Sequence, residues 1–158
     1  MAASSRRVVI TGMALFTPIG SEVEAFWQAL LDGKSGVAVI GDLVTFPAPF
    51  FETACPAAWR KALDEVWEVP FKTAIPGHGE PMTRAQFDAY RGAFNRYMDC
   101  VDSPSEAGLC ATTWADGIAG FTGTDERARK QALGYAEYYV GMLREHGGKS
   151  ADCRTPDR

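Results

Sequence analysis

Two histidines and four cysteines are the residues of this chain best suited to chemistry, and their spacing decides which chemistry is open to it. His78 lies in the turn Pro76-Gly77-His78-Gly79, where the flanking glycines permit backbone angles other residues resist and leave the imidazole room to reach a ligand. Asp42 follows Gly41 at the end of a short β-branched stretch, so its carboxylate stands at a strand end. Read from the residues alone, Asp42 is the polar cap of a turn and His78 a turn histidine satisfied by backbone. His146, before Gly147-Gly148 at an expected helix end, complements the helix dipole and takes no site role. With only two imidazoles, any mechanism that draws three or more from one chain is excluded.

The cysteines, Cys55, Cys100, Cys110 and Cys153, are too far apart for a CxxC zinc or redox motif. Cys100 and Cys110 bracket the turn-rich DSPSEAG, and an even count permits two disulfides in an oxidising compartment. Cys55 reads as a structural thiol or disulfide partner rather than a nucleophile, because no histidine adjoins it in sequence.

The elements that would position these groups follow from periodicity and punctuation. A strand is expected over about 6–11, then a loop closed by Thr17-Pro18-Ile19-Gly20. A helix follows from Ser21 to Gly33, with Ser21 and Glu24 in the capping-box spacing. Val23, Phe26, Trp27, Leu30 and Leu31 give that helix an apolar face in need of a partner surface. A short strand is expected over 36–40, an aromatic, proline-rich loop over 45–56, a helix from Ala57 to about Glu68, and a strand from Phe71 to Ile75. Thr83 opens a long helix whose stripe Phe87, Tyr90, Phe94 and Tyr97 belongs to the core, and a last helix runs from about Asp125 to Glu145 with DERARK as a solvated face. The expected fold class is α/β in a helix-rich α+β form, with a small reduced sheet flanked by helices.

Apolar residues at 46%, charged residues at 23% and a net charge of −4 describe a folded soluble protein without the basic field that nucleic acid requires. No apolar run approaches the roughly 18 to 20 residues of a membrane span, so no membrane partner is expected. Ser5-Arg6-Arg7 before VVITGMALFTPIG weakly mimics an export signal, so the cytoplasm is the expected location and export the alternative.

Two resemblances meet near residue 40. Residues 6–38, with the strand RRVVITG, then TPIG, then FWQALLDGKSG, resemble the opening of β-ketoacyl-acyl-carrier-protein synthases of the thiolase fold. The resemblance implies the first strand and helix of that family, whose nucleophilic cysteine and catalytic histidines come much later, and no stretch beyond residue 40 is expected to continue it. From about Val37 onward, Gly41-Asp42 and IPGHGEP at 75–81 resemble the C-terminal half of a metallo-β-lactamase-fold hydrolase. That resemblance implies Asp42 and His78 as zinc ligands, with the family's main metal motif absent.

The expected organisation is therefore composite: residues 1–38 synthase-like and residues 39–158 metallo-β-lactamase-like, packed as one compact unit. The leading functional reading is a metallo-β-lactamase-like hydrolase fragment, incomplete as a single chain and acting on an unknown small-molecule substrate. A second is a non-catalytic binding or oligomerising protein, including a homo-oligomer, or a recombined or artificial chain without a selected function. A third relates the chain to β-ketoacyl synthases by its N-terminus only.

Overall fold

A computed structural model describes residues 17–123, 125–150 and 153. The expected strand at 6–11 lies outside these residues. The chain divides into two compact units, Met1–Gly36 and Val37–Arg158.

In the first unit, Thr17 and Gly20 form a tight bridge in which the Thr17 hydroxyl donates to the Gly20 carbonyl at 2.6 Å. Helix α1 (Val23–Leu31) follows, and Gly33 terminates it with φ +66°. The expected capping box at Ser21 does not form. The N-cap is Glu22, which makes no side-chain cap bond, and Glu24 instead accepts from Gln28 one turn on at 3.0 Å. Shifting the start by one residue moves Glu24 out of the third helical position, where its carboxylate would have reached back to the cap. Gly36 is required by close approach: a Cβ there would lie 2.5 Å from that of Pro18.

The second unit is helix-rich α+β around a small sheet. Strand β1 (Val37–Gly41) leads through the proline-rich loop to helix α2 (Pro56–Glu68), whose Pro56 occupies the first turn, where a missing N–H costs nothing. Strands β2 (Thr73–Pro76) and β3 (Met82–Thr83) complete a three-stranded sheet in the order β1-β2-β3. β1 and β2 are parallel, with Val37 level with Thr73 and Val39 with Ile75, while β2 and β3 are antiparallel. Helices α3 (Arg84–Val101), α4 (Ala107–Gly117), the single turn α5 (Ala119–Thr122) and α6 (Glu126–Glu145) follow. Thr83 caps α3 in a full capping box with Gln86, and Asp125 caps α6 by accepting from the Arg127 N–H. α4 was not expected from sequence; it packs against α3 and α6, with Trp114 fully buried.

The core is aromatic. Phe87, Tyr90, Phe94 and Tyr97, the stripe expected on α3, are all fully buried; Phe87 meets Phe71, Phe94 and Tyr97 meet Phe51, and Tyr90 and Tyr97 meet Trp114. Phe51 stands edge-on to Tyr139 at 5.4 Å, and Tyr90 edge-on to Trp114 at 5.7 Å, the arrangement that matches ring edges to ring faces. Each such side chain contributes about 1.5–3 kcal/mol by leaving water. Their polar tips are satisfied: Tyr97 donates to the Ala136 carbonyl at 2.7 Å, Trp114 to that of Pro47 at 2.8 Å, and Tyr139 to Glu52. Burial pushes the Tyr90 phenol up to about 12. It likewise raises Tyr97, and raises Tyr139 with help from its bond to Glu52.

All four cysteines are paired, Cys55 with Cys153 and Cys100 with Cys110. The second pair joins the end of α3 to the start of α4 across the turn-rich segment. The first ties the N-cap of α2 to the chain beyond α6.

Candidate functional site

In parallel sheets ligands gather at the carboxyl ends of strands, where loops diverge. Here those ends are Gly41-Asp42 and Pro76-Gly77-His78, brought level by the pairing of Gly41 with Pro76. The Gly77 N–H donates to the Gly41 carbonyl at 2.8 Å and prolongs the ladder by one bond. Gly77 leaves room for this approach, since a Cβ there would fall 2.2 Å from Asp42 Oδ1 and 3.2 Å from the Gly41 carbonyl carbon, so that the Asp42 side chain would have to turn away. Gly41 itself has φ +51°, which turns the chain out of β1 and aims Asp42 at the neighbouring loop.

The tertiary structure thus brings together the two residues singled out by sequence. Asp42 Oδ1 lies 3.7 Å from His78 Nε2, with side chains 67% and 85% exposed. The separation exceeds a hydrogen bond, and a contact this exposed is screened by water. Zinc in a catalytic site keeps three protein ligands and one open position. Two donors fall short, and among the described residues no group of three or more His, Cys, Asp or Glu side chains is placed to hold a metal. Among the described residues the pair has no third protein ligand beside it.

Beside His78 is a cleft of about 320 Å³ walled by Phe46, Phe121, Pro76 and Met82, with Glu80 and Gln86 among its polar lining. Phe46 and Phe121 face one another at 5.2 Å and form its apolar side. Phe46 lies in the aromatic, proline-rich loop expected over 45–56, and nothing in that stretch connects it to His78, because the cleft is completed by Phe121 of α5, an element of one turn with no periodic signal. His146 sits at the C-cap of α6 with Nδ1 2.7 Å from the Met142 carbonyl, in keeping with a helix-end role.

Comparison with known proteins finds likenesses in the N-terminal part. Residues 5–80 match the family model "Beta-ketoacyl synthase, N-terminal domain". Among curated proteins the chain is similar to 3-oxoacyl-[acyl-carrier-protein] synthase 2 of Vibrio harveyi, 54% identical over 37 residues covering 23% of this chain and 9% of that protein. It is also similar to the synthase 2 of Coxiella burnetii, 49% identical over 55 residues covering 35% of this chain and 13% of that protein. The chloroplastic 3-oxoacyl-[acyl-carrier-protein] synthase I of Arabidopsis thaliana is 45% identical over 47 residues, 28% of this chain and 10% of that protein. The chain therefore spans only about a tenth of the length of these relatives. No solved structure matches.

These findings correct two expectations. The synthase pattern does not stop at residue 40 but runs to residue 80, through β1, β2 and the turn that carries His78. The residues that suggested a metallo-β-lactamase-like hydrolase thus lie inside the synthase match, and nothing in the comparisons supports a hydrolase. With the ligand shortage at Asp42 and His78, the hydrolase reading is overturned. The helix-rich α+β class with a small sheet stands, and no helix among the described residues is long and apolar enough to cross a membrane.

Proposed function

We propose that this chain is a β-ketoacyl-synthase-related protein that works by associating with other protein chains rather than by catalysing a condensation. The observation that carries the synthase relationship is the family match over residues 5–80. Two structural features give it direction. A condensing thiol must ionise to attack an acyl group, and all four cysteines here are tied up in disulfides. In α1, the helix inside the matched region, Trp27 is 54% and Leu31 63% exposed, an apolar face of the kind that marks contact surfaces. The relatives carry the matched stretch within chains about ten times longer than the match.

The paired cysteines also favour the export alternative over a reducing cytoplasm, where such bonds are rare. The composite organisation, synthase-like at the N-terminus and distinct beyond, belongs to the same reading.

The test is a condensation assay with an acyl thioester of acyl carrier protein and malonyl-acyl carrier protein, alongside iodoacetamide labelling without reductant. The expected result is no carbon–carbon bond formation and no alkylated cysteine. Turnover together with labelling of one cysteine would overturn the proposal.

A further inference from the structure

We infer that the outward face of α6 is a self-complementary surface on which a second copy of this chain docks antiparallel. The inference rests on the association reading and adds to it the surface and the partner. Helix α6 buries Ala132, Ala136, Tyr139, Val140 and Leu143 on one side. The opposite side carries Arg127, Gln131, Gly134, Tyr138, Gly141 and Glu145, all exposed and spaced alternately four and three residues apart, the seam spacing of paired helices. Tyr138 is 57% exposed at the middle of this seam, with Tyr135 beside it at 46%.

Among the described residues nothing requires glycine at the two seam positions. Glycine inside a helix is unfavourable by about 1 kcal/mol relative to alanine. Neither Gly134 nor Gly141 has positive φ, and a Cβ at either would meet nothing within 4 Å. By contrast, a Cβ on Gly117 in α4 would come within 2.7 Å of Ala93, so that glycine is needed by the packing of α3 on α4. Glycines with open space around them provide hollows for a neighbouring helix.

Charge supplies the direction. The seam begins with Arg127 and ends with Glu145, and among the described residues neither side chain has an ion pair within its own chain. In an antiparallel pair with its twofold axis level with Ala136, Arg127 faces Glu145 of the other copy, Gln131 faces Gly141, and Tyr138 faces Gly134. Each contact occurs twice, as an isologous interface requires. Tyr138 fills the hollow left by Gly134, and the ion pairs close both ends. One flank brings Tyr135 against its own counterpart; the other brings Glu137 against its own, a like-charge contact that limits affinity. A 20-residue helix is about 30 Å long, so the buried area falls at the small end of specific interfaces, below about 1,200 Å² in total. The dimer is accordingly weak and concentration-dependent.

Sedimentation equilibrium of the full, oxidised chain over a wide concentration range tests this directly. The expected result is a shift from monomer to dimer mass that Gly134→Leu/Gly141→Leu abolishes without lowering the thermal midpoint, because leucine fills open space and favours helix. Arg127→Glu should weaken the dimer at least fivefold, Arg127→Glu/Glu145→Arg should restore it, and Glu137→Gln should tighten it. A monomer at every concentration overturns the inference. So does a dimer that ignores the α6 substitutions, including one that Trp27→Glu dissociates, although that outcome leaves the association reading standing. Condensation activity in the assay above would instead overturn the reading while an α6 dimer stood.

Discussion

Removing the two disulfides separately should destabilise the protein by unequal amounts, in an order set by loop length. Cys55–Cys153 spans 98 residues in sequence and Cys100–Cys110 spans 10. Chain-entropy arguments give about 4.7 kcal/mol for a loop of the first size and about 2.7 kcal/mol for the second, a difference of about 2 kcal/mol. A total stability of about 5–15 kcal/mol is normal for one domain, so losing the longer bridge alone removes a large share. The native packing around the two sites argues the other way. Cys110 is fully buried, whereas Cys153 is half-buried beyond the end of α6, so local contacts alone would make the short bridge the costlier loss. Urea unfolding of Cys55→Ala/Cys153→Ala and Cys100→Ala/Cys110→Ala, read by linear extrapolation, separates these accounts. Reduced wild-type protein serves as the reference that lacks both bridges but keeps the sulfur atoms. The entropy account requires the Cys55/Cys153 variant to be the less stable by about 2 kcal/mol. Equal losses, or a larger loss at Cys100/Cys110, would refute it.

Stability should also fall in alkali. The folded state holds the Tyr90 phenol near 12, above its ordinary value, so this contribution is complete below about pH 10 and is lost as pH rises through 12, about 3 kcal/mol for this one group. Parallel phenolate absorbance and circular dichroism should show Tyr90, Tyr97 and Tyr139 ionising with unfolding; ionisation in a folded protein would contradict this. Gly117→Ala, which drives a methyl group into Ala93, should cost about 1–3 kcal/mol of unfolding free energy. Gly77→Ala meets mainly the rotatable Asp42 side chain and should cost about 1 kcal/mol or less, while displacing Asp42 from His78 in nuclear Overhauser contacts. Elemental analysis should return well below one zinc per chain; one zinc per chain lost in His78→Ala would show that the pair recruits further ligands.

Much of the fold was legible in the residues. Gly33, Thr83 and Asp125 mark helix ends by mechanisms local to the chain, a positive φ or a capping oxygen, and α1, α3 and α6 begin or end within two residues of where these signals put them, while α2 starts at Pro56, one residue inside the expected loop. The α3 stripe was readable as core because its three- and four-residue spacing places the aromatics on one face. α4 was not readable: its sequence holds two glycines and two threonines and has little apolar periodicity. It is helical because α3 and α6 cover Cys110, Ala111, Trp114 and Ala115. The capping box at Ser21 had the right spacing and the wrong register, since spacing does not say which residue takes the cap conformation.

The site divides along the same line. Local sequence determined that Asp42 and His78 would stand on glycine-shaped turns at strand ends, because a turn is a property of a few consecutive residues. Only the tertiary structure decided that those turns are neighbours, through the parallel pairing of β1 with β2, and that no further ligand stands beside the pair among the described residues. It likewise chose the disulfide partners, since Cys55 and Cys153 are 98 residues apart and nothing in either neighbourhood names the other. Pairings between distant residues depend on how the whole chain closes its core, and that closure is decided by many weak contacts together rather than by any one stretch of sequence.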